Sequence, residues 1–139
     1  MQRSATVALI CNNKLLLLKR GSGAKWNPDK YCLPGGGCDL DESLVFCAKR
    51  ELYEETGINI DVSLLNPLTI TYPKYSKTVF VHVSNTYYPV KLNYEHSDYV
   101  WADSISNLDI VPGLFTTIKT LINHQYINDI ITNTANFCL

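Results

Sequence analysis

The sequence has no long hydrophobic run, one methionine, 18% charged residues and five glutamates in 139 residues. Each scarcity excludes something. The longest early apolar stretches, Ala5 to Cys11 and Leu15 to Leu18, are separated by Asn12, Asn13 and Lys14, so neither is expected to span a bilayer or to serve as a secretory core. A formal net charge of −1 gives no bulk attraction to nucleic acid or to a membrane surface. The five cysteines, Cys11, Cys32, Cys38, Cys47 and Cys138, form no Cys-x-x-Cys pair and are odd in number. That pattern predicts reduced thiols in a cytoplasmic protein rather than a disulfide framework.

What is present is an ordinary globular composition, 46% hydrophobic, in a chain long enough to bury roughly 68% of its unfolded surface. A single domain over residues 1–139 is expected, with no repeat, linker or low-complexity tract. Ala5–Cys11 and Leu15–Lys19 are β-favouring runs joined by Asn12-Asn13-Lys14, a hairpin pattern, because asparagine tolerates left-handed backbone. Gly21 to Lys30 reads as a surface loop carrying Trp26, and three successive glycines, Gly35, Gly36 and Gly37, permit close approach of another group. From Ser43 to Thr56 there is neither Pro nor Gly; Leu44, Ala48 and Leu52 recur every four residues, and Gly57 supplies a left-handed stop, so this stretch is predicted helical. Asp39, Asp41 and Glu42 are expected to cap its start and meet the helix dipole, since they lack the order of a calcium-binding loop. Leu68–Tyr72, Thr78–Ser84, Thr86–Leu92 and Tyr99–Ala102 carry strand-like composition, and Pro112 opens a last amphipathic helix with Leu114, Ile118, Leu121 and Ile122 on one face. Alternating strands and helices make the fold class α/β.

Three of the five glutamates, Glu51, Glu54 and Glu55, fall within one turn of the predicted helix. Like charges three or four residues apart on a helix repel, and a bound cation would convert that cost into a gain. Oxygen-only ligands suit a hard ion, Mg²⁺ first and Mn²⁺ as a substitute.

Around these glutamates the chain reads Gly36, five residues, Glu42, seven residues, then Arg50-Glu51-Leu52-Tyr53-Glu54-Glu55-Thr56-Gly57-Ile58. With Gly36, Glu42, Arg50, Glu51, Leu52, Glu54, Glu55, Gly57 and Ile58 in place, this segment of 23 residues resembles the signature of the Nudix (MutT-like) hydrolase family. The resemblance implies an α/β/α sandwich, a mixed sheet between helices, and hydrolysis of the phosphoanhydride of a nucleoside diphosphate linked to some other group. It implies Glu51, Glu54, Glu55 and the carbonyl of Gly35 as metal ligands, with Glu42 and Arg50 holding the glutamates in place. Glu95, in Glu95-His96-Ser97-Asp98-Tyr99-Val100-Trp101, matches a later-loop glutamate that takes the proton of the attacking water in some relatives, while a box glutamate does so in others. His96 is expected to be structural or exposed rather than catalytic, since metals and carboxylates suffice.

Substrate choice lies outside the signature. Arg20, at the end of the second strand, stands where relatives place a residue that reaches a phosphate, and Trp26, Tyr72 and Tyr75 offer rings for a nucleobase. Pro73 follows Ile58 by fifteen residues, as in several ADP-ribose hydrolases, and Tyr75 by seventeen, as in some dinucleoside polyphosphate hydrolases. The expected partner is thus a small nucleotide, ADP-ribose or a dinucleoside polyphosphate, with no membrane and no nucleic acid. The alternatives are pyrophosphohydrolysis of nucleoside triphosphates and a non-catalytic nucleotide sensor. Homodimerisation is compatible, since family members are often dimers and exposed strand edges can pair.

Overall fold

β1 (Ser4–Cys11) and β2 (Lys14–Arg20) are apolar on both faces because both are covered, and this explains their unbroken hydrophobic runs. The computed structural model describes residues 3–128. Asn12 and Asn13 turn the hairpin with φ of 50° and 59°, the left-handed pair that the two asparagines predict. The hairpin ladder is confined to Ile10–Leu15 and Cys11–Lys14, beyond which the strands separate. Two short strands fill the opening: β3 (Tyr31–Cys32) pairs with β2, and β4 (Gly35–Gly37) pairs with β1. Neither is visible as a strand in the sequence, because three glycines carry no β-propensity and two residues carry no period.

Next come α1 (Leu44–Thr56), β5 (Asn66–Thr71), β6 (Ser76–Ser84), β7 (His96–Ala102) and α2 (Leu114–Asn123). β6 lies parallel to β1, β5 pairs with the outer side of β6, and β7 pairs with β2. The result is a mixed seven-stranded sheet between α1 and α2. Even residues of β1, such as Ala8 and Ile10, join the α2-side core with Leu114, Ile118 and Leu121. Odd residues, Val7 and Leu9, join the α1-side core with Ala48 and Leu52. This is the α/β/α sandwich implied above. No helix among the described residues is long and apolar enough to cross a membrane.

Several expectations need correction. Thr86–Leu92 is not a strand: Ser84 bonds both the amide and the carbonyl of Thr86 and turns the chain, Pro89 lacks a ladder donor, and Lys91 N–H donates to Thr56 O at the end of α1. The acidic residues do not cap α1. Ser43 does, its hydroxyl accepting from Phe46 N–H at 3.3 Å, because Glu42 is drawn away to Arg50. α2 starts at Leu114 rather than at Pro112, after Gly113 in left-handed conformation. Finally, Cys38 and Cys47 are joined in a disulfide, against the expectation of five free thiols, whereas Cys11 and Cys32 are free. Cys138 and the tail to Leu139 lie outside the described residues.

Candidate active site

The second half of α1 runs past β4, and helical spacing turns Glu51 and Glu55 toward it. Gly36 is needed for this approach, because a Cβ there would lie 2.6 Å from the Glu51 carboxylate. Gly35 N–H, displayed by β4, donates to Glu55 Oε1 at 2.8 Å. Glu55 is only 1% exposed, and burial, reinforced by the neighbouring Glu51 and Glu95, pushes its pKa up to about 8. Burial raises Glu51 as well, with Glu54 and Glu95 adding to the effect against the opposing pull of Arg50.

Arg50 organises the outer side of the cluster. Its Nε and Nη2 grip the two oxygens of Glu42 at 2.8 and 2.9 Å, Nη2 also donates to Gly37 O at 3.0 Å, and Nη1 donates to Glu51 at 3.2 Å and Glu54 at 3.0 Å. The fork geometry of a guanidinium is what permits one side chain to serve three carboxylates and a carbonyl together. The hydrogen bonds from Arg50 and from Asp39 N–H hold the Glu42 carboxyl down at about 2. Glu54 remains the most solvent-facing of the three helix carboxylates.

Glu95 reaches this cluster from the loop before β7. Its backbone carbonyl accepts from Gly21 N–H at 3.0 Å, and its charge acts on both Glu51 and Glu55. It also lines a cavity of about 380 Å³ with Arg20, Gly21, Gly23, Ala24, Tyr94 and His96. Arg20 is steadied there by its Nε, which donates to Trp26 O at 2.7 Å. His96 is buried, with Nε2 3.8 Å from Cys32 Sγ, and burial drops its pKa to about 4, so it is a neutral packed imidazole near pH 7. The same burial pushes the Cys32 thiol up to about 11.

All but one of the sequence-derived residues fall into two groups. Gly35, Glu42, Arg50, Glu51, Glu54, Glu55 and Glu95 gather at one place, with Arg20 beside them. Tyr72, Pro73 and Tyr75 sit at the β5–β6 turn instead. Tyr72 stacks on Tyr75 with ring centroids 4.7 Å apart, and its hydroxyl donates to Gly113 O. Tyr75 borders a separate open cavity of about 740 Å³ together with Arg3, Ser4, Leu44, Ser76 and Lys77. Trp26, 76% exposed, contributes its carbonyl to Arg20 and lines neither cavity.

Two features were missed. Lys77, with Nζ 5.7 Å from the Tyr72 ring centre, borders the large cavity and a smaller one reaching Thr6 and Thr117. Arg3 Nη2 donates to the carbonyls of Asp39, Leu40 and Glu42. Isolated basic residues at strand ends carry no pattern that marks them beforehand.

A family model described as the NUDIX domain matches residues 1–103. An m7GpppN-mRNA hydrolase of Danio rerio is 47% identical over 49 residues, which is 35% of this chain and 16% of that protein. Among solved structures, the MutT protein of Methanosarcina mazei Go1 is 27% identical with a TM-score of 0.65, covering 89% of this chain and 95% of that one. A bifunctional NMN adenylyltransferase/ADP ribose pyrophosphatase from Francisella tularensis, complexed with AMP and Mn ion, has a TM-score of 0.74 at 22% identity, covering 88% of this chain and 41% of that one. The chain thus spans a minor part of that curated relative and under half of the Francisella protein. Signature, topology and family match agree, and the chain belongs to the Nudix family.

Proposed function

We propose that this protein is a Mg²⁺-dependent pyrophosphohydrolase that cleaves the phosphoanhydride of a nucleoside diphosphate linked to a second group, with ADP-ribose or a dinucleoside polyphosphate as substrate. The observation that carries this reading is the convergence of Glu51, Glu55 and Glu95 beside Gly35 and Gly36, where burial and the charge of neighbouring carboxylates oppose the ionisation of Glu51 and Glu55. A divalent cation relieves both. The donor set of carboxylate and carbonyl oxygens fits a hard ion, Mg²⁺ or Mn²⁺.

Glu51, Glu54, Glu55 and the Gly35 carbonyl would hold the metal. When bound, it supplies charge neutralisation of the diphosphate and acidification of water. The chain's own groups do the rest. Arg50 and Glu42 fix the orientation of the helix carboxylates, so that little reorganisation accompanies charge development. A carboxylate oxygen of Glu95, entering from the opposite loop, accepts the proton of the attacking water. Arg20, with Nε committed to the Trp26 carbonyl, presents its remaining guanidinium nitrogens to a phosphate. Tyr75, exposed at its turn, offers a ring face to a base.

The test is turnover with Mg²⁺ on ADP-ribose, dinucleoside polyphosphates, nucleotide sugars, capped RNA and nucleoside triphosphates, with products identified by mass. Cleavage within the diphosphate of one compound is the expected result. Tight binding of a nucleotide without cleavage of any compound would replace the enzyme reading with a sensing module.

A further inference from the structure

The hydrolytic chemistry makes no use of Cys38 and Cys47, yet the two sit at its foundation. Cys38 follows directly on β4, and Cys47 faces the core from the first turn of α1, where it continues the row that includes Leu44 and Ala48. Their sulfurs are bonded, with Cα atoms 5.3 Å apart and a sequence separation of nine. The enclosed loop carries Glu42, whose two oxygens hold the Arg50 fork. Arg50 in turn holds Gly37 O, Glu51 and Glu54. Cys47 Sγ also lies 3.8 Å from Gly36 O. The bridge therefore fastens the glycine strand to the helix where the two pass each other beside the carboxylates.

Besides the bridge and the Glu42–Arg50 fork, the loop is held by Arg3, which reaches the carbonyls of Asp39, Leu40 and Glu42 from an exposed position. Neither free thiol among the described residues can substitute for the pair: Cys11 is buried at the far end of β1, and Cys32 faces His96.

We propose that the Cys38–Cys47 bridge is a thiol–disulfide switch on the metal centre, holding the glycine strand and Glu42 against α1 when closed and weakening divalent-metal binding when opened by a thiol reductant. This rests on the metal-holding part of the proposed function. A thiolate of glutathione class attacks the Cys38 sulfur, the more accessible of the two at 9% against 0% exposure, and the S–S bond breaks to release Cys47 as a thiolate that takes a proton. A second small thiol then attacks the small-molecule sulfur of the mixed disulfide. Cys38 leaves as a thiol, and one small disulfide is the oxidised product. Two electrons and two protons pass to the protein. Where thiol pools keep most cysteines reduced, protein disulfides are usually transient or regulatory, so such a pool is a suitable opponent for this bridge.

The experiment equilibrates the full chain in oxidised or reduced glutathione, verifies the bridge by alkylation and mass, and reads Mn²⁺ binding from the paramagnetic resonance of the free ion. The bridged form is expected to bind Mn²⁺ roughly tenfold more tightly, the scale on which outer contacts tune a metal site. Cys38→Ser should bind like the reduced protein in both buffers, and Cys32→Ala should keep the difference. Should Cys38→Ser fail to fold, the two states of the unaltered chain still decide the matter. Equal Mn²⁺ affinity with the bridge verified, or no bridge in the oxidising buffer, overturns the switch. Because binding is read without substrate, a redox-dependent affinity in a protein that cleaves nothing would keep this inference and overturn the hydrolase reading alone.

Discussion

The carboxylate cluster and the tyrosine turn are held in very different ways. Glu55 is buried and bonded to a strand amide, and Glu42, Glu51 and Glu54 are gathered by one guanidinium. Tyr75 is 61% exposed, and its ring stacks on Tyr72. On the proposed function, the groups that would act at phosphorus are fixed from several directions, whereas the ring that would be offered to a base is held lightly. Positioning to within fractions of an ångström matters for chemistry, while stacking tolerates slack.

The comparison is most directly broken by neutralising the tight end. Glu54→Gln and Glu55→Gln should each lower kcat by about 100-fold or more while leaving the fold intact, because the amide keeps the shape and removes the charge. Near-normal turnover in both variants would sink the assignment. Arg50→Lys comes next. It keeps a positive charge and loses the fork, and metal affinity should fall roughly tenfold in a titration of activity against Mg²⁺.

A smaller effect is expected from pH. With its native pKa raised to about 8, Glu55 keeps its proton in the metal-free fold after the unfolded chain has ionised near 4.5. The native state then binds more protons, so this group's contribution is fully present below 4.5 and is lost as pH rises toward 8. Denaturant melts in chelator between these limits should show that decline, and Glu55→Gln should flatten it. Metal binding should correspondingly release protons, measurable by calorimetry in buffers of different ionisation enthalpy. Smallest of all, Tyr75→Ala should cost no more than about 0.5 kcal/mol of stability, as surface substitutions do. If the turn does stack a base, KM rises with kcat unchanged. A fall in kcat equal to that of the glutamate variants would erase the distinction between the two regions.

Much of this was readable beforehand, for identifiable reasons. Leu44, Ala48 and Leu52 announce a helix because their period is physical, and Gly57 ends it for the same reason. The spacing of Gly36, Glu42, Arg50, Glu51, Glu54 and Glu55 carries the cluster, since each position has a partner in the fold. Glu95 joins from 40 positions further on than Glu55, and only its likeness to relatives pointed to it. Thr86–Leu92 misled because β-favouring side chains were overruled by the Ser84 turn and by Pro89. The Cys38–Cys47 pair escaped notice because an odd cysteine count says nothing about which two sulfurs the fold brings together. Lys77 and Arg3 depend wholly on tertiary placement.

The parting of the β1–β2 hairpin leaves a gap that β3 and β4 close, and the glycine strand is therefore braced within the sheet rather than hung from it. A strand so inserted has only one permissible alignment. Slipping by a single residue would exchange its two sides and aim the Gly35 amide away from Glu55. Insertions and deletions between Cys32 and Cys38 should consequently be far less tolerated than those in the loop from Gly21 to Lys30. The hairpin's divergence thus acts as a ruler, setting the length of chain that can carry a working carboxylate cluster.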